Sequence, residues 1–276
     1  GRATRIVLEA RERGSGDFVT DIACELPLQA IADLVGFPQA DRRQIFEWSN
    51  QMMAYDDPDY DADPAVAAAE ILGYAAALGD ERTRRPRGDI VSRLVAATDD
   101  DVLSSEEFAF FVLILAVAGN ETTRNAITHG MQAFFADPGQ WDRYKAERPT
   151  TTADEVVRFG TPVQMFQRTA TEDAEIGGQR IERGQRVGLL YGSANYDETV
   201  FGDPNRFDIG RSPNPHVGFG GGGAHFCPGS HLAKLEIDVM FNAIADHLPD
   251  IAPAGPARRL RSGWLNGIKE LPVTYT

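Results

Sequence analysis

The spacing of hydrophobic positions changes once along the chain and divides the predicted secondary structure into two parts. Through residue 160, apolar residues recur at helical spacing, which predicts a series of helices. The longest begins at a capping box formed by Ser104 and Glu107, runs to about Ala136 and is apolar on all sides in its first half. We therefore expect this helix to form the buried centre of the fold.

After residue 160, apolar and polar residues alternate between glycine-containing turns, which predicts antiparallel strands. A last helix is expected over residues 228–248, because proline is tolerated at the first position of a helix. The sequence thus predicts a mainly α fold with a small antiparallel β region, in one domain over residues 1–276. The opening residues, GRATRIVLEARERG, have the pattern of the middle of a helix, so we expect the fold to be incomplete at its N-terminus.

Composition and charge narrow the classes of protein to which the chain could belong. It has 276 residues and a net charge of −14, which argues against a nucleic-acid groove and against a polybasic membrane contact. Its longest apolar run, residues 108–118, is too short for a membrane span, and no signal-peptide pattern opens the sequence. With only Cys24 and Cys227, a disulfide framework is not expected, which favours a reducing, cytoplasmic location.

The candidate chemistry is concentrated around Cys227, in a glycine-rich segment that runs directly into the last predicted helix. The simplest interpretation is a buried structural cysteine beside a turn. Gly218, Gly220 and Gly223 also match the G-x-G-x-x-G pattern of dinucleotide-binding loops. That match is weak, because no strand precedes it and no acidic residue follows about twenty positions later to bind a ribose.

Two metal sites compete with these interpretations of the same segment. His216, His225, Cys227 and His231 lie close together in the sequence, but their spacing matches no common zinc site and a single thiolate is weak evidence. The other candidate is a thiolate ligand to haem iron, as in the cysteine-ligated haem enzymes. Glycines allow a flat macrocycle to approach the backbone, and the N–H groups and dipole at the start of a helix stabilise a thiolate.

The predicted central helix carries a second group of candidate residues around the segment AGNETT. The Thr122 hydroxyl can hydrogen-bond a backbone carbonyl and loosen a turn, and Glu121 places a carboxylate beside it. The alternatives are that Gly119 packs against a neighbouring helix and that Glu121 forms a surface ion pair. Four residues share one face of this helix by their spacing: Phe111, Leu115, Ala118 and Thr122.

Glu155 and Arg158 form a third candidate group, on a shorter predicted helix. Their i, i+3 spacing pairs a carboxylate with an arginine, which is common on any helix. Thr152 and Glu155 also have the spacing of a capping box. Both observations favour a structural role.

Four motifs, taken in their order along the chain, resemble those of the cytochrome P-450 monooxygenases: AGNETT, EVVR, FGDPNRFD and FGGGGAHFCPG. Each motif is weak alone, but their common order is specific. The cysteine segment departs from the family pattern in having one more residue than usual between Phe219 and Cys227, and in having Pro228 where an N–H is usual. Tyr196 stands where many members of the family have arginine.

The resemblance implies a role for each candidate residue. It implies haem b, iron protoporphyrin IX, with Cys227 as the axial ligand of the iron, and it implies that Thr122 and Glu121 position oxygen and deliver protons. Glu155 and Arg158 would join Arg206 in a structural cluster. The other implied haem-binding residues are Arg168 and His225, as partners of the propionates, with Ala118, Gly119, Phe219, Gly220 and Gly229. The implied substrate pocket consists of Phe111, Leu115, Val163, Phe166, Trp264 and Leu265.

Longer stretches, such as NPHVGFGGGGAHFC and RLRSGWLNGIK, are similar to bacterial steroid side-chain 26-monooxygenases. This similarity implies hydroxylation of the terminal side-chain carbon of a steroid such as cholesterol or cholest-4-en-3-one. Such a reaction uses O2 and electrons from a ferredoxin and its NAD(P)H-dependent reductase. The alternatives are a methyl-branched lipid omega-hydroxylase of the same family, a truncated and catalytically inactive haem-binding fragment, and a haem-binding sensor without turnover.

Overall fold

The fold is built around one long helix, and the computed structural model describes residues 1–61, 63–97 and 103–275. The prediction of a mainly α fold with small antiparallel sheets is confirmed. The helices are α1 (Arg2–Arg13), a short π-helix (Val19–Ala23), α2 (Glu25–Val35), α3 (Arg42–Met53), α4 (Pro64–Arg84), α5 (Ile90–Val95), α6 (Ser105–Ala136), α7 (Pro138–Glu147), α8 (Thr152–Gly160), α9 (Tyr191–Asn195) and α10 (Ser230–His247).

The long helix α6 begins where the sequence predicts. The Ser104 hydroxyl accepts a hydrogen bond from the Glu107 N–H at 3.2 Å, and the Glu107 carboxylate accepts one from the Ser104 N–H at 2.8 Å. This reciprocal pair satisfies two of the N–H groups that have no partner within the helix. Although α6 is long, no helix of the described residues is long and apolar enough to cross a bilayer.

The two halves of α6 differ in burial, and here the sequence prediction is partly wrong. The second half is buried on nearly all sides, but the first half leaves Phe110, Phe111 and Ile114 exposed by 46%, 40% and 57%. We call these three residues the apolar stripe. An apolar helix is covered only where other elements reach it, and here α2 and α4 pack against the other sides of this half.

Helix α10 packs along α6 and runs in the same direction. Thr123 of α6 lies next to Glu236 of α10. Further along both helices, a Cβ added to Gly130 would come within 2.7 Å of the Phe241 ring, so this glycine allows close packing. Because both residue numbers rise together, the start of α10 and Cys227 before it lie toward the first half of α6.

The strands form small antiparallel sheets, as the alternating pattern predicts. One hairpin turns at Gly177 and Gly178, whose φ angles of 57° and 78° suit glycine. The strands are β1 (Ser15–Asp17), β2 (Met165–Thr169), β3 (Ala174–Ile176), β4 (Gln179–Ile181), β5 (Arg186–Leu190), β6 (Ala252–Pro253), β7 (Arg258–Arg259), β8 (Ile268–Glu270) and β9 (Pro272–Thr274). Pairing joins β2 to β5, β3 to β4, β7 to β8, and β9 to both β1 and β6.

Candidate functional site

Cys227 lies immediately before α10, with its sulfur at the start of that helix. The Cys227 N–H donates to the Phe219 carbonyl at 2.9 Å, which closes the loop between these residues. Burial raises the pKa of the Cys227 thiol, while hydrogen bonds from the N–H groups of Gly229 and Ser230 lower it. The sulfur therefore already has two donors that stabilise a negative charge, as a thiolate ligand requires.

The glycines of the loop have conformations that other residues rarely adopt. Gly220, Gly222 and Gly223 have φ angles of 96°, 103° and 79°. Gly218 serves a different purpose, because a Cβ there would come within 2.5 Å of the Val157 side chain on α8. The loop thus needs glycine partly for backbone conformation and partly for close packing against α8.

The same glycines form one wall of an open cleft of about 590 Å³. Arg168 of β2 and His225 of the loop lie far apart in sequence, yet both line this cleft. Arg168 donates to the Gln167 carbonyl at 3.0 Å and has no carboxylate partner within the described part of the chain. The remaining lining residues are Leu189, Leu190, Tyr191, Ala194, Val217, Gly220, Gly221, Gly222, Gly223 and Ala224.

The residues of this region fit the haem that the resemblance implies. Cys227 offers a soft sulfur donor, while Arg168 and His225, which both line the cleft, offer hydrogen-bond donors for carboxylates. The glycine wall has no side chains that would keep a flat group away. Zinc is not favoured, since within residues 1–61, 63–97 and 103–275 no three His, Cys, Asp or Glu side chains are grouped to hold a metal.

On α6, the AGNETT segment presents different residues to different neighbours. Ala118 is exposed, and the Thr122 hydroxyl donates to the Ala118 carbonyl at 2.7 Å, as its position predicts. A Cβ on Gly119 would come within 2.6 Å of the Ile31 side chain of α2. The room in the direction of a Gly119 side chain is therefore occupied by α2, which shows a role in helix packing. Its assignment as a haem-binding residue stays a prediction.

Glu121 is not a surface residue. It is 1% exposed and forms an ion pair with Arg124, whose guanidinium also donates to the Asn50 side chain at 2.8 Å. Burial raises the pKa of the Glu121 carboxyl, and the charge and hydrogen bond of Arg124 oppose that shift. Glu121 and Arg124 line a small cavity of about 80 Å³ that also reaches Tyr60 and Lys269.

Glu155 and Arg158 form a bidentate pair, and both side chains are completely buried. Arg158 Nε and Nη2 donate to the two carboxylate oxygens at 2.8 and 2.9 Å. The carboxylate also accepts from Arg211 Nε at 3.1 Å and from Asn214 Nδ2 at 3.1 Å. Such donors compensate a buried carboxylate for the hydrogen bonds to water that it has lost.

Two expectations about this cluster are wrong. Arg206 contributes only its carbonyl, which accepts from Arg158 and Arg211, while the exposed Arg206 side chain lies outside the cluster. Arg211 supplies the second guanidinium instead. Thr152 also forms no capping box, because its hydroxyl donates to the Pro149 carbonyl and the Glu155 carboxylate is taken by the arginines.

The cluster extends to the cysteine loop through Asn195. Arg158 Nη1 donates to the Asn195 carbonyl at 2.8 Å, and the Asn195 side-chain oxygen accepts from the Val217 N–H at 2.8 Å. Asn195 is fully buried. Sequence reasoning missed Asn195, Arg211 and Asn214 because no fixed spacing connects them to α8.

The segments expected to form a substrate pocket are only partly brought together. Val163 pairs with Leu265, and the rings of Phe166 and Trp264 lie 6.0 Å apart. Leu265 is 1% exposed, so its side chain lies in the interior. On α6, Phe111 belongs to the exposed apolar stripe, while Leu115 packs against the core formed with α2 and α4.

Comparison with known proteins gives consistent relatives over almost the whole chain. The sequence pattern of the cytochrome P-450 family matches residues 76–247. A steroid C26-monooxygenase of Rhodococcus jostii is 66% identical over 275 residues, covering 99% of this chain and 58% of that protein. A methyl-branched lipid omega-hydroxylase of Mycobacterium tuberculosis is 45% identical over 267 residues, covering 94% of this chain and 62% of that protein.

The fold also matches solved structures. A cytochrome P-450 from Mycobacterium marinum, solved in complex with pseudoionone, superposes with a TM-score of 0.94 at 41% identity. The match covers 99% of this chain and 68% of that one. The chain thus spans 58% and 62% of the two curated relatives' lengths and 68% of this solved structure.

Proposed function

Since this chain belongs to the cytochrome P-450 family, which implies a haem cofactor, we propose that it is a haem-thiolate monooxygenase that hydroxylates the terminal side-chain carbon of a steroid. Cholest-4-en-3-one and cholesterol are the proposed substrates, since the relative that is 66% identical is named a steroid C26-monooxygenase. The proposed cofactor is haem b. A ferredoxin and its NAD(P)H-dependent reductase would supply electrons.

Cys227 carries the proposal, because its sulfur accepts from two backbone N–H groups at a helix start. It lies two residues after His225, which lines the open cleft. In this proposal Cys227 would supply the thiolate that binds the haem iron, and Arg168 and His225 would bind the two propionates. When bound, the haem supplies activation of O2 and oxidation of a C–H bond. The protein supplies the thiolate, the orientation of the group and the surrounding electrostatics.

Thr122 and Glu121 are the proposed proton-transfer residues. The Thr122 hydroxyl donates to the Ala118 carbonyl at 2.7 Å, at a half-buried position near the middle of α6. Glu121 is the adjacent acid, and the cavity of about 80 Å³ beside it is large enough to hold water. Protons would reach Glu121 through that water and pass to the Thr122 hydroxyl.

The proposed substrate surface is apolar. Phe111 on α6, together with Phe166 and Trp264 on the β side, presents exposed or half-buried aromatic rings. Such surfaces bind a steroid by removing apolar area from water, at roughly 25 cal/mol per Å². The relative that is 45% identical supports a second candidate of the same chemistry, omega-hydroxylation of a methyl-branched lipid.

Turnover by the haem-loaded full chain tests the proposal. With a ferredoxin system and O2, cholest-4-en-3-one should give the terminal alcohol, and more product than a methyl-branched fatty substrate gives. The opposite order would favour the second candidate. Steroid binding or a thiolate-type spectrum without any product would favour the sensor, and no haem uptake would favour the inactive fragment.

Thr122→Ala provides the residue-level test. We expect the variant to bind haem and steroid but to give several-fold less product per electron, because the proton relay is broken. Thr122→Ser keeps the hydroxyl and should restore product yield. Equal yields for Thr122→Ala and the wild-type chain would contradict the assigned role.

A further inference from the structure

His216 connects the cysteine loop to α8 through both nitrogens of its ring. Nδ1 lies 3.1 Å from the Gly218 backbone nitrogen, and Nε2 lies 3.0 Å from the Asp154 carboxylate. A backbone N–H can only donate, so Nδ1 accepts and carries no proton. The ring proton of the neutral side chain is therefore on Nε2, which donates to Asp154.

His216 holds Gly218, which is the neighbour of the residue that fixes the backbone of Cys227. Gly218 precedes Phe219, whose carbonyl accepts from the Cys227 N–H at 2.9 Å. Gly218 also lies directly against Val157 of α8, with no space for a side chain. A displacement of Gly218 would thus move the carbonyl that fixes the backbone of Cys227.

Asp154 joins the two sides of the cysteine. Its carboxylate accepts from His216, which precedes Cys227 in the sequence. It also lies 2.5 Å from Lys234 Nζ of α10, which follows Cys227. The hydrogen bonds from these two residues outweigh the effect of burial and lower the pKa of Asp154, so it is a carboxylate. The Phe219 ring lies 5.7 Å from the His216 ring and 5.6 Å from Lys234 Nζ.

We propose that His216, held in its Nε2–H tautomer by Asp154 of α8, is a positioning residue that fixes the Cys227 sulfur by accepting a hydrogen bond from the Gly218 N–H. The inference rests on the proposed function in one respect, namely that Cys227 is the haem ligand. His216 is suited to the task because one rigid ring offers an acceptor to the loop and a donor to the helix. Its side chain is 5% exposed, so water does not compete strongly for either bond.

Two amide variants separate the two bonds. His216→Asn places an oxygen near the position of Nδ1, which keeps the acceptor for Gly218 and loses the donor to Asp154. His216→Gln places an amide nitrogen near the position of Nε2, which keeps the donor and loses the acceptor. His216→Leu removes both, and His247→Gln at the far end of α10 is the control.

The first measurement is the alkylation rate of Cys227 by iodoacetamide in the full chain without haem. Cys24 is buried, and a Cys24→Ser background makes Cys227 the single thiol. We expect His216→Gln and His216→Leu to react on the order of fivefold to tenfold faster, the factor for losing about one hydrogen bond. His216→Asn and the control should stay within about twofold of the parent rate.

The second measurement is the reduced carbon-monoxide spectrum of the haem-loaded full chain. His216→Gln should lose part of the thiolate-type band, and His216→Asn should keep it. If His216→Gln matches the parent in both measurements, the anchor on Gly218 is overturned, whatever happens to the less conservative leucine variant. The alkylation rates test the role of His216 even if the parent shows no thiolate-type band. That missing band would overturn the proposed function and leave the role of His216 unaffected.

Discussion

The cluster around Glu155 and the loop around Cys227 are neighbours that differ in burial and in how their polar groups are paired. Glu155 and Arg158 of α8 are fully buried, and Arg158 donates to the carbonyls of Asn195 and Arg206. The loop from Gly220 to His225 is exposed or half-buried, has three glycines with positive φ and lines an open cleft. The polar groups of the cluster bind one another, whereas Cys227, Arg168 and His225 around the loop remain available to bind a ligand.

This difference shows how a site can be open and still be well positioned. Two side chains outside the glycines fix the start of the loop, Asn195 by accepting from the Val217 N–H and His216 by accepting from the Gly218 N–H. The face toward the cleft is left without side chains over the four consecutive glycines. A flat ligand could therefore approach the backbone without disturbing the bonds that hold it.

Removing Glu155 should give the largest change in stability. Glu155→Ala leaves the buried Arg158 and the nearly buried Arg211 without a carboxylate, so we expect a loss of about 3–5 kcal/mol in the free energy of unfolding. Urea denaturation measures it. Glu172→Ala, at an exposed position, is the control and should change stability by less than about 0.5 kcal/mol. Equal losses in both variants would contradict the central role of the cluster.

Another buried glutamate extends the comparison, because Glu236 has no charged partner among the residues that the structure describes. It is 4% exposed at the contact of α10 with α6, and burial raises its pKa from 4.5 to about 8, with a hydrogen bond from Thr123 opposing the shift. The folded state then binds more protons than the unfolded state between those two values. Stability should therefore fall as pH rises through this window.

Glu236→Gln removes this titration without removing the polar group. The stability of the variant relative to the wild-type chain should rise by up to about 1.4 kcal/mol per pH unit through the window. Denaturant unfolding at a series of pH values measures the difference. A constant difference between pH 4.5 and 8 would show that Glu236 is ionised in the folded state.

The smallest expected effect concerns Pro228, which has no N–H to donate to the sulfur. Pro228→Ala would add a possible third donor to those of Gly229 and Ser230, and so should raise the reduction potential of the haem-loaded chain. Redox titration followed by absorbance measures this. Pro138→Ala, at the first position of α7, is the matched control. An unchanged potential for Pro228→Ala would count against the donor argument.

Local features of the fold were predictable, and distant pairings were not. The capping box of α6 depends on residues three positions apart, so the sequence alone identifies it. Arg211 lies 56 residues from Glu155, and no spacing rule selects it over Arg206. His216 and Asp154 are 62 residues apart, so their contact could not be inferred before the fold was known.

The apolar stripe shows a different limit of sequence reasoning. The first half of α6 is apolar on every side, and that pattern alone predicts burial on every side. Which sides are covered depends on where α2 and α4 pack, and this is set by close contacts such as that of Gly119 with Ile31. The apolar stripe remains exposed because the packing of neighbouring helices, and not the hydrophobicity of its residues, determines which side of α6 is buried.

The reduced carbon-monoxide difference spectrum of the haem-loaded full chain tests the central claim most directly, namely that Cys227 is the thiolate ligand. The two cysteines supply matched variants, since Cys24 is buried and remote in sequence from the loop. We predict a thiolate-type band for the wild-type chain and for Cys24→Ser, and none for Cys227→Ser. A thiolate-type band that survives in Cys227→Ser, or that is absent from the wild-type chain, would contradict the account.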